Sequence, residues 1–124
     1  MRCYRNIMEE KEVIREIQNI VEQLIEKYKP LKIILFGSAA RREYDKLNDL
    51  DFLILKEDVP YRGLDRMREV DNLIDRNMAV DILVYRPEEI ENRIQLGDPF
   101  IKTILSEGCL APVGNGVFRR IIRQ

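Results

Sequence analysis

The chain of 124 residues contains no histidine and no tryptophan, and it contains only two cysteines. The absence of histidine excludes hydrolases in which a histidine base activates a serine or a cysteine. Cys3 and Cys109 alone cannot complete a four-ligand zinc site, so we interpret both as free thiols. Chemistry in this chain must therefore depend on carboxylates, bound metal ions, arginine, lysine or backbone groups.

Long apolar runs and an excess of positive charge are also missing. No apolar run approaches the roughly 18 residues that cross a membrane, and charged residues 9–12 interrupt any signal-peptide core. The formal net charge is −1, whereas a free-standing nucleic-acid-binding protein usually carries a basic excess. We therefore expect a cytoplasmic protein that contacts no membrane and does not bind nucleic acid directly.

What is present is an alternation of helical and strand patterns. Apolar residues at three-and-four spacing predict helices over 7–28 and 63–77, and short apolar runs predict strands over 31–36, 50–55 and 79–85. Shorter helices are expected over 39–44, 87–94 and 100–106, with a short strand or coil over 109–111. This order predicts one α/β domain over 1–111, with at least three core strands and flanking helices. Residues 112–124 are interpreted as a C-terminal tail, which is a mobile end, a tag-like extension or a docking segment.

A glycine–serine pair follows the first predicted strand. Gly37 lets backbone approach a phosphate group closely, and the Ser38 hydroxyl and the next amides can donate to phosphate oxygens. Arg41 and Arg42 lie one turn further, where they are expected to cover a triphosphate. By itself, a glycine–serine pair after a strand is usually only a turn.

Three aspartates form the second motif. Asp49 and Asp51 are two apart, so on a strand their side chains face the same side. Adjacent carboxylates raise each other's pKa unless a cation lies between them, and hard oxygen ligands suit Mg²⁺ or Mn²⁺. Asp81 lies inside an apolar run, where an unpaired charge is costly, and a neighbouring strand would place it beside the other two. Three such acids can hold two metal ions, one that activates an attacking hydroxyl and one that stabilises a leaving pyrophosphate. By itself, however, an Asp-x-Asp pair is usually an exposed strand end, and a single aspartate within a strand is sometimes only an acid at a sheet edge.

The combined motif resembles a known family. Gly37 and Ser38, ten intervening residues, Asp49 and Asp51, and then Asp81 in a later strand are similar to the nucleotidyltransferase superfamily of polymerase β type. The short length resembles its minimal nucleotidyltransferase branch, whose members are often paired with HEPN-domain proteins as antitoxin and toxin. The resemblance implies a mixed sheet of three to four strands and Mg²⁺-dependent transfer of a nucleoside monophosphate from a nucleoside triphosphate.

The resemblance also assigns residues. It implies that Gly37 and Ser38 bind phosphate and that the three aspartates bind two metal ions, with Asp81 as ligand or base toward the acceptor hydroxyl. Arg41 matches a common arginine of the branch. In the branch, a glycine is common after that arginine and a serine is common before the first metal-binding aspartate. This chain has Arg42 and Asn48 at those two positions, and both differences affect the shape of the loop.

The resemblance leads to a function with two alternatives. We expect transfer of AMP from ATP to a hydroxyl on a partner protein, with the chain as antitoxin of a HEPN-domain toxin. A non-catalytic antitoxin that only masks a HEPN ribonuclease is one alternative. The other is a nucleotidyltransferase for a small molecule such as an antibiotic, which would need an added domain or an oligomer to form its acceptor pocket.

Overall fold

A computed structural model of the chain describes residues 9–111 and 119–120. The helices are α1 (Glu10–Gln23), α2 (Gly63–Asp71), α3 (Pro87–Gln95) and α4 (Pro99–Glu107). The strands are β1 (Lys32–Phe36), β2 (Asp49–Leu55), β3 (Ala79–Tyr85), β4 (Cys109–Leu110) and β5 (Arg119–Arg120). A π-helical turn over Leu24–Tyr28 extends α1, and a 3₁₀ turn over Tyr44–Lys46 precedes β2. The interpretation of Cys3, the start of the first predicted helix and most of the predicted tail lie outside the described residues.

The strands form one mixed sheet in the order β3-β2-β1-β4-β5. β2 and β3 are parallel, because α2 carries the chain back across the sheet between them, and the other neighbouring pairs are antiparallel. The predicted α/β fold with a mixed sheet is confirmed. Four strands lie within residues 9–111, and β5 adds a two-residue strand in a segment for which the sequence predicted none.

The sheet separates two apolar cores. α1 and α2 cover one face, where Val13 and Val70 pack with Phe52, and α3 and α4 cover the other, where Ile101 packs with Leu53. Consecutive residues of a strand point to opposite faces, so β2 is buried on both sides along most of its length. Each large side chain that is fully buried contributes roughly 1.5–3 kcal/mol. In the described part of the chain, no helix has the length and apolar character needed to cross a membrane.

The helix predicted over 39–44 is wrong. Residues 37–42 form a single turn, in which the Arg41 amide donates to the Gly37 carbonyl at 3.2 Å and the Glu43 amide donates to the Ser38 carbonyl at 2.9 Å. Arg42 has a φ of +63°, in the left-handed region. A right-handed helix cannot continue through that conformation, so the chain leaves the turn there.

The helix predicted to reach residue 77 ends at Asp71, because side chains of α1 bind the backbone that follows. The Gln23 amide group accepts from the Asp75 N–H at 2.7 Å and donates to its carbonyl at 2.7 Å. The buried Glu16 carboxylate accepts from the backbone and side-chain amides of Asn77. These bonds satisfy polar groups that a longer helix would have bonded internally.

Arg66 of α2 fixes the far end of β3. It is a charged residue between the apolar positions of the predicted helix, yet only 4% of it is exposed. Its guanidinium donates to the carbonyls of Pro60, Tyr61 and Val84 at 2.6, 3.2 and 2.9 Å, and to both oxygens of Glu89 at 2.8 and 3.1 Å. One side chain thus joins α2, α3, β3 and the segment after β2.

Candidate active site

The three aspartates meet at one end of the β2–β3 pair. The parallel register places Asp51 directly opposite Asp81, and Asp49 lies two residues earlier on the same face of β2. One carboxylate oxygen from each residue lies within 4.8 Å of the other two. Asp49 and Asp51 are half-buried and Asp81 is exposed, so the cluster opens to solvent on the β3 side.

Negative charge is concentrated in this cluster. Burial raises the pKa of Asp51 to about 6, and the carboxylates of Asp49 and Asp81 add to the increase, whereas the charge of Arg41 acts against it. The pKa of Asp49 is also raised, by burial first and then by Asp81. Among the described side chains, no lysine or arginine forms an ion pair with any of the three.

A divalent cation would relieve this repulsion. The donors are carboxylate oxygens alone, which is the ligand set that Mg²⁺ and Mn²⁺ take in sites where phosphate oxygens and water complete the coordination. The residues present therefore fit such an ion. The roles of the three aspartates as metal ligands stay a prediction.

Gly37 lies against the cluster. Phe36, the last residue of β1, pairs with Asp51 of β2, and the chain then turns at Gly37 with a φ of +75°. A Cβ added at Gly37 would lie 3.2 Å from Cγ of Asp51 and would overlap its Oδ2. Only glycine fits here, because both the backbone conformation and the space beside the carboxylate exclude a side chain.

The turn that follows Gly37 presents free backbone donors. In the described part of the chain, the amides of Ser38, Ala39 and Ala40 donate to no protein carbonyl. The side chains of Ala39 and Ala40 are buried, which anchors the turn to the core beneath α1. Unpaired successive amides of this kind bind phosphate oxygens, so the turn can serve the role predicted for Gly37 and Ser38.

The two arginines of the turn differ in their surroundings. Arg41 forms ion pairs with Glu43 and with Glu107 of α4, each at 3.2 Å, and its charge offsets a small part of the rise in the pKa of Asp51. Arg42 is exposed, and its left-handed conformation explains why glycine suits this position of the loop. For both residues, the predicted contact with a triphosphate stays a prediction.

Two phenylalanines that the sequence did not assign to the site form an apolar wall on its β1 side. Phe36 pairs with Asp51 across the β1–β2 ladder, and its ring packs edge-to-face against Phe100 at 6.0 Å between centroids and an interplanar angle of 85°. In the last predicted helix, over 100–106, the apolar pattern places Phe100 among the buried residues with Ile101, Ile104 and Leu105, but Phe100 is 50% exposed. It lies in the first turn of α4, next to Ile101, which is fully buried in the core on this face of the sheet.

Comparisons with known proteins agree with this geometry. The family model described as a nucleotidyltransferase domain matches residues 14–110, which include the turn and all three aspartates. A relative from Methanocaldococcus jannaschii, named a "putative protein adenylyltransferase", is 35% identical over 78 residues, which cover 62% of this chain and 76% of the relative. A second protein from that organism with the same name is 24% identical over 106 residues, which cover 86% and 97% of the two chains.

A solved structure shows the same likeness. The crystal structure of a "putative nucleotidyltransferase" from Sulfolobus solfataricus matches with a TM-score of 0.52 and 27% identity, over 66% of this chain and 74% of that one. Sequence family, relatives and fold thus agree with the predicted resemblance. The chain belongs to the nucleotidyltransferase domain family and is a nucleotidyltransferase.

Proposed function

We propose that this nucleotidyltransferase transfers AMP from ATP to a hydroxyl group on a partner protein, with Mg²⁺ as cofactor. The observation that carries the proposal is the contact between Gly37 and Asp51, which joins a three-carboxylate cluster to a turn with free amides. A metal site and a phosphate site that touch are what a nucleoside triphosphate requires. Two relatives named as protein adenylyltransferases support a protein acceptor.

The reaction follows from the chemistry of a triphosphate. The acceptor hydroxyl oxygen forms a bond to the α-phosphorus, the bond from that phosphorus to the bridging oxygen breaks, and pyrophosphate leaves. When bound, Mg²⁺ supplies neutralisation of phosphate charge and a lower pKa for the attacking hydroxyl. The amides after Gly37 hold phosphate oxygens, and Asp81, the exposed member of the cluster, takes the hydroxyl proton.

The identity of the partner is a separate part of the proposal. The resemblance to the minimal nucleotidyltransferase branch supports a HEPN-domain toxin as acceptor, with this chain as its antitoxin. The cytoplasmic location and an oligomeric state both stay predictions.

A labelling experiment tests the transfer. The protein is incubated with Mg²⁺, a HEPN-domain protein and ATP labelled at the α-phosphate, and parallel samples receive ATP labelled at the γ-phosphate. We expect α-label on the acceptor and no γ-label, because pyrophosphate leaves. Asp49→Asn and Asp51→Asn should each reduce the α-label by at least about two orders of magnitude. Asp58→Asn, at an exposed acid in the turn after β2, should not.

The other outcomes are distinct. Equal α-label in the wild-type protein and both asparagine variants contradicts the proposed site. Neutralisation of the toxin that survives both substitutions, with no label transferred, supports masking instead. If label is transferred only when a small-molecule acceptor is supplied, the acceptor is that small molecule and not a protein.

A further inference from the structure

The strand that carries Asp81 lies at one edge of the sheet. The Lys56 amide donates to the Tyr85 carbonyl at 3.0 Å, so the backbone of Tyr85 faces β2. Backbone groups alternate in direction along a strand. The N–H and C=O groups of Asp81 and Leu83 therefore also point toward β2, whereas those of Val80, Ile82 and Val84 point away from it, out of the sheet edge. The ion-paired Arg66 guanidinium binds the Val84 carbonyl, which agrees with this alternation.

The outward backbone groups next to Asp81 have no partner in the described part of the chain. No described strand pairs with the outer edge of β3, and no hydrogen bond there uses the backbone of Val80, which is half-buried, or of Ile82, which is 4% exposed. Val80 and Ile82, on either side of Asp81, therefore each offer an N–H and a C=O. Such an edge can take up an added strand, and Arg66 limits pairing at the Val84 end.

Apolar side chains collect beside this edge. Tyr61 and Leu96 are 88% and 84% exposed, and Met67 is 37% exposed. With Leu83 and Tyr85 of β3 they line a cavity of about 660 Å³. Arg93, Glu89 and Asp98 add charged groups to its lining. Leu83 lies on the same face as Asp81 and two residues further along, so this cavity begins one side-chain position from the cluster.

We propose that the acceptor protein presents its hydroxyl on an extended segment that pairs with β3 as an added antiparallel strand. The inference rests on the proposed function and specifies how the acceptor binds. Pairing through Val80 and Ile82 makes the residue opposite Asp81 a non-hydrogen-bonded partner, with Cα atoms about 4.5 Å apart and both side chains on the same face. A serine or threonine hydroxyl at that position lies beside the Asp81 carboxylate.

The same register gives the acceptor a sequence pattern. In an antiparallel pair, the residue two places before the hydroxyl residue lies opposite Leu83, where an apolar side chain enters the cavity. The hydroxyl oxygen then bonds to the α-phosphorus, pyrophosphate leaves and the proton passes to Asp81. The segment we infer is therefore extended, with a serine or threonine two residues after an apolar residue.

Hydrogen exchange measured by NMR on the full chain tests strand addition without any turnover. The probe is the nonapeptide KQVQSQVQK, whose central serine lies two places from each valine, at millimolar concentration because one short strand binds weakly. We expect the amides of Val80 and Ile82 to exchange rapidly in the free protein and at least about tenfold more slowly with the peptide. Exchange at Leu83, whose amide faces β2, should change little.

A matched pair of variants isolates the backbone bond. Val80→Pro removes the outward N–H and leaves the bonds to β2 in place, and Val80→Ala removes similar side-chain bulk but keeps that N–H. Peptide should protect Ile82 in the alanine variant and not in the proline variant. Unprotected Val80 and Ile82 in the wild-type protein, or equal protection in both variants, would overturn the inference. Slow exchange of the Val80 and Ile82 amides in a peptide-free dimer would also overturn the inference, because a second copy of the chain would then occupy the edge of β3.

Labelling of the probe separates this inference from the proposed function. Moving the serine by one place puts its hydroxyl on the face opposite the valines, and we expect at least about tenfold less α-label on that peptide. Equal labelling of the two peptides contradicts the inferred register. Transfer to a protein acceptor with no protection at β3 refutes strand addition alone, whereas no transfer to any acceptor refutes the proposed function.

Discussion

Neutralising Asp51 should stabilise the metal-free protein while it abolishes transfer. Burial and the neighbouring carboxylates raise the pKa of this carboxyl from its ordinary value of 3.8 to about 6, so folding disfavours its charged form. That difference corresponds to at most about 3 kcal/mol at neutral pH, and the half-open site is partly screened by water and salt. We expect Asp51→Asn to raise the free energy of unfolding by about 1–2 kcal/mol at pH 7.5, and the unfolding midpoint by about 3–8 °C.

The pH dependence has a definite sign. Between about pH 4 and pH 6 the folded wild-type protein binds more protons at Asp51 than the unfolded chain, so its stability decreases as pH rises through that range. The advantage of Asp51→Asn should therefore appear above pH 6 and disappear near pH 4. Mg²⁺ should reverse the order at neutral pH, because it stabilises only the protein that binds it.

Thermal unfolding with a chelator, at several pH values, measures this effect. Asp58→Asn is the control, since it removes one exposed acid that is not part of the three-aspartate cluster and should leave the midpoint nearly unchanged. A metal-free Asp51→Asn variant that is no more stable than wild type at pH 7.5 would refute the idea that burial and the neighbouring carboxylates disfavour the charged form of Asp51. A gain that persists unchanged at pH 4 would show that the gain does not come from the charge of Asp51.

Three further substitutions have expected outcomes. Gly37→Ala should abolish Mn²⁺ binding measured by EPR, because the added Cβ would displace the Asp51 carboxylate. Gly63→Ala is the control and should keep Mn²⁺ binding, since a Cβ at Gly63 meets nothing within 4 Å. Mn²⁺ binding by the Gly37→Ala variant would contradict the close approach of Gly37 to Asp51. Arg66→Met should lower the free energy of unfolding in urea by about 3 kcal/mol, since a carboxylate and three carbonyls lose their donor; a loss under about 1 kcal/mol would show that water replaces it. Arg42→Gly should raise that free energy by about 0.5–1 kcal/mol by relieving a positive φ, and a decrease would contradict that conformation.

The arrangement of the aspartates could be anticipated from local pattern. The spacing of Asp49 and Asp51 on one strand fixes their common face, and Asp81 inside an apolar run indicates a strand buried beside them. The structure adds the parallel register that sets Asp51 against Asp81. A spacing rule cannot supply that register, because it depends on where α2 returns the chain to the sheet.

The errors arose where distant groups decide local structure. The second predicted helix was too long because Gln23 and Glu16, more than fifty residues earlier, bind the backbone that would have continued it. Apolar periodicity gives no sign that Arg66 is buried, because the pattern counts an arginine only as a charged position, whereas its five donors here meet five acceptors. The contact of Gly37 with Asp51 likewise depends on β1–β2 pairing, although a glycine just after a strand was a usable signal.

The most direct test of the account is to measure pyrophosphate release and protein labelling in one reaction. With ATP labelled at the α-phosphate, Mg²⁺ and the acceptor protein, the wild-type chain should release pyrophosphate and label the acceptor in equal amounts. Asp49→Asn should do neither, although it folds. Label that appears without pyrophosphate, or transfer that is undiminished in Asp49→Asn, would contradict the claim that this carboxylate cluster is the site of nucleotidyl transfer.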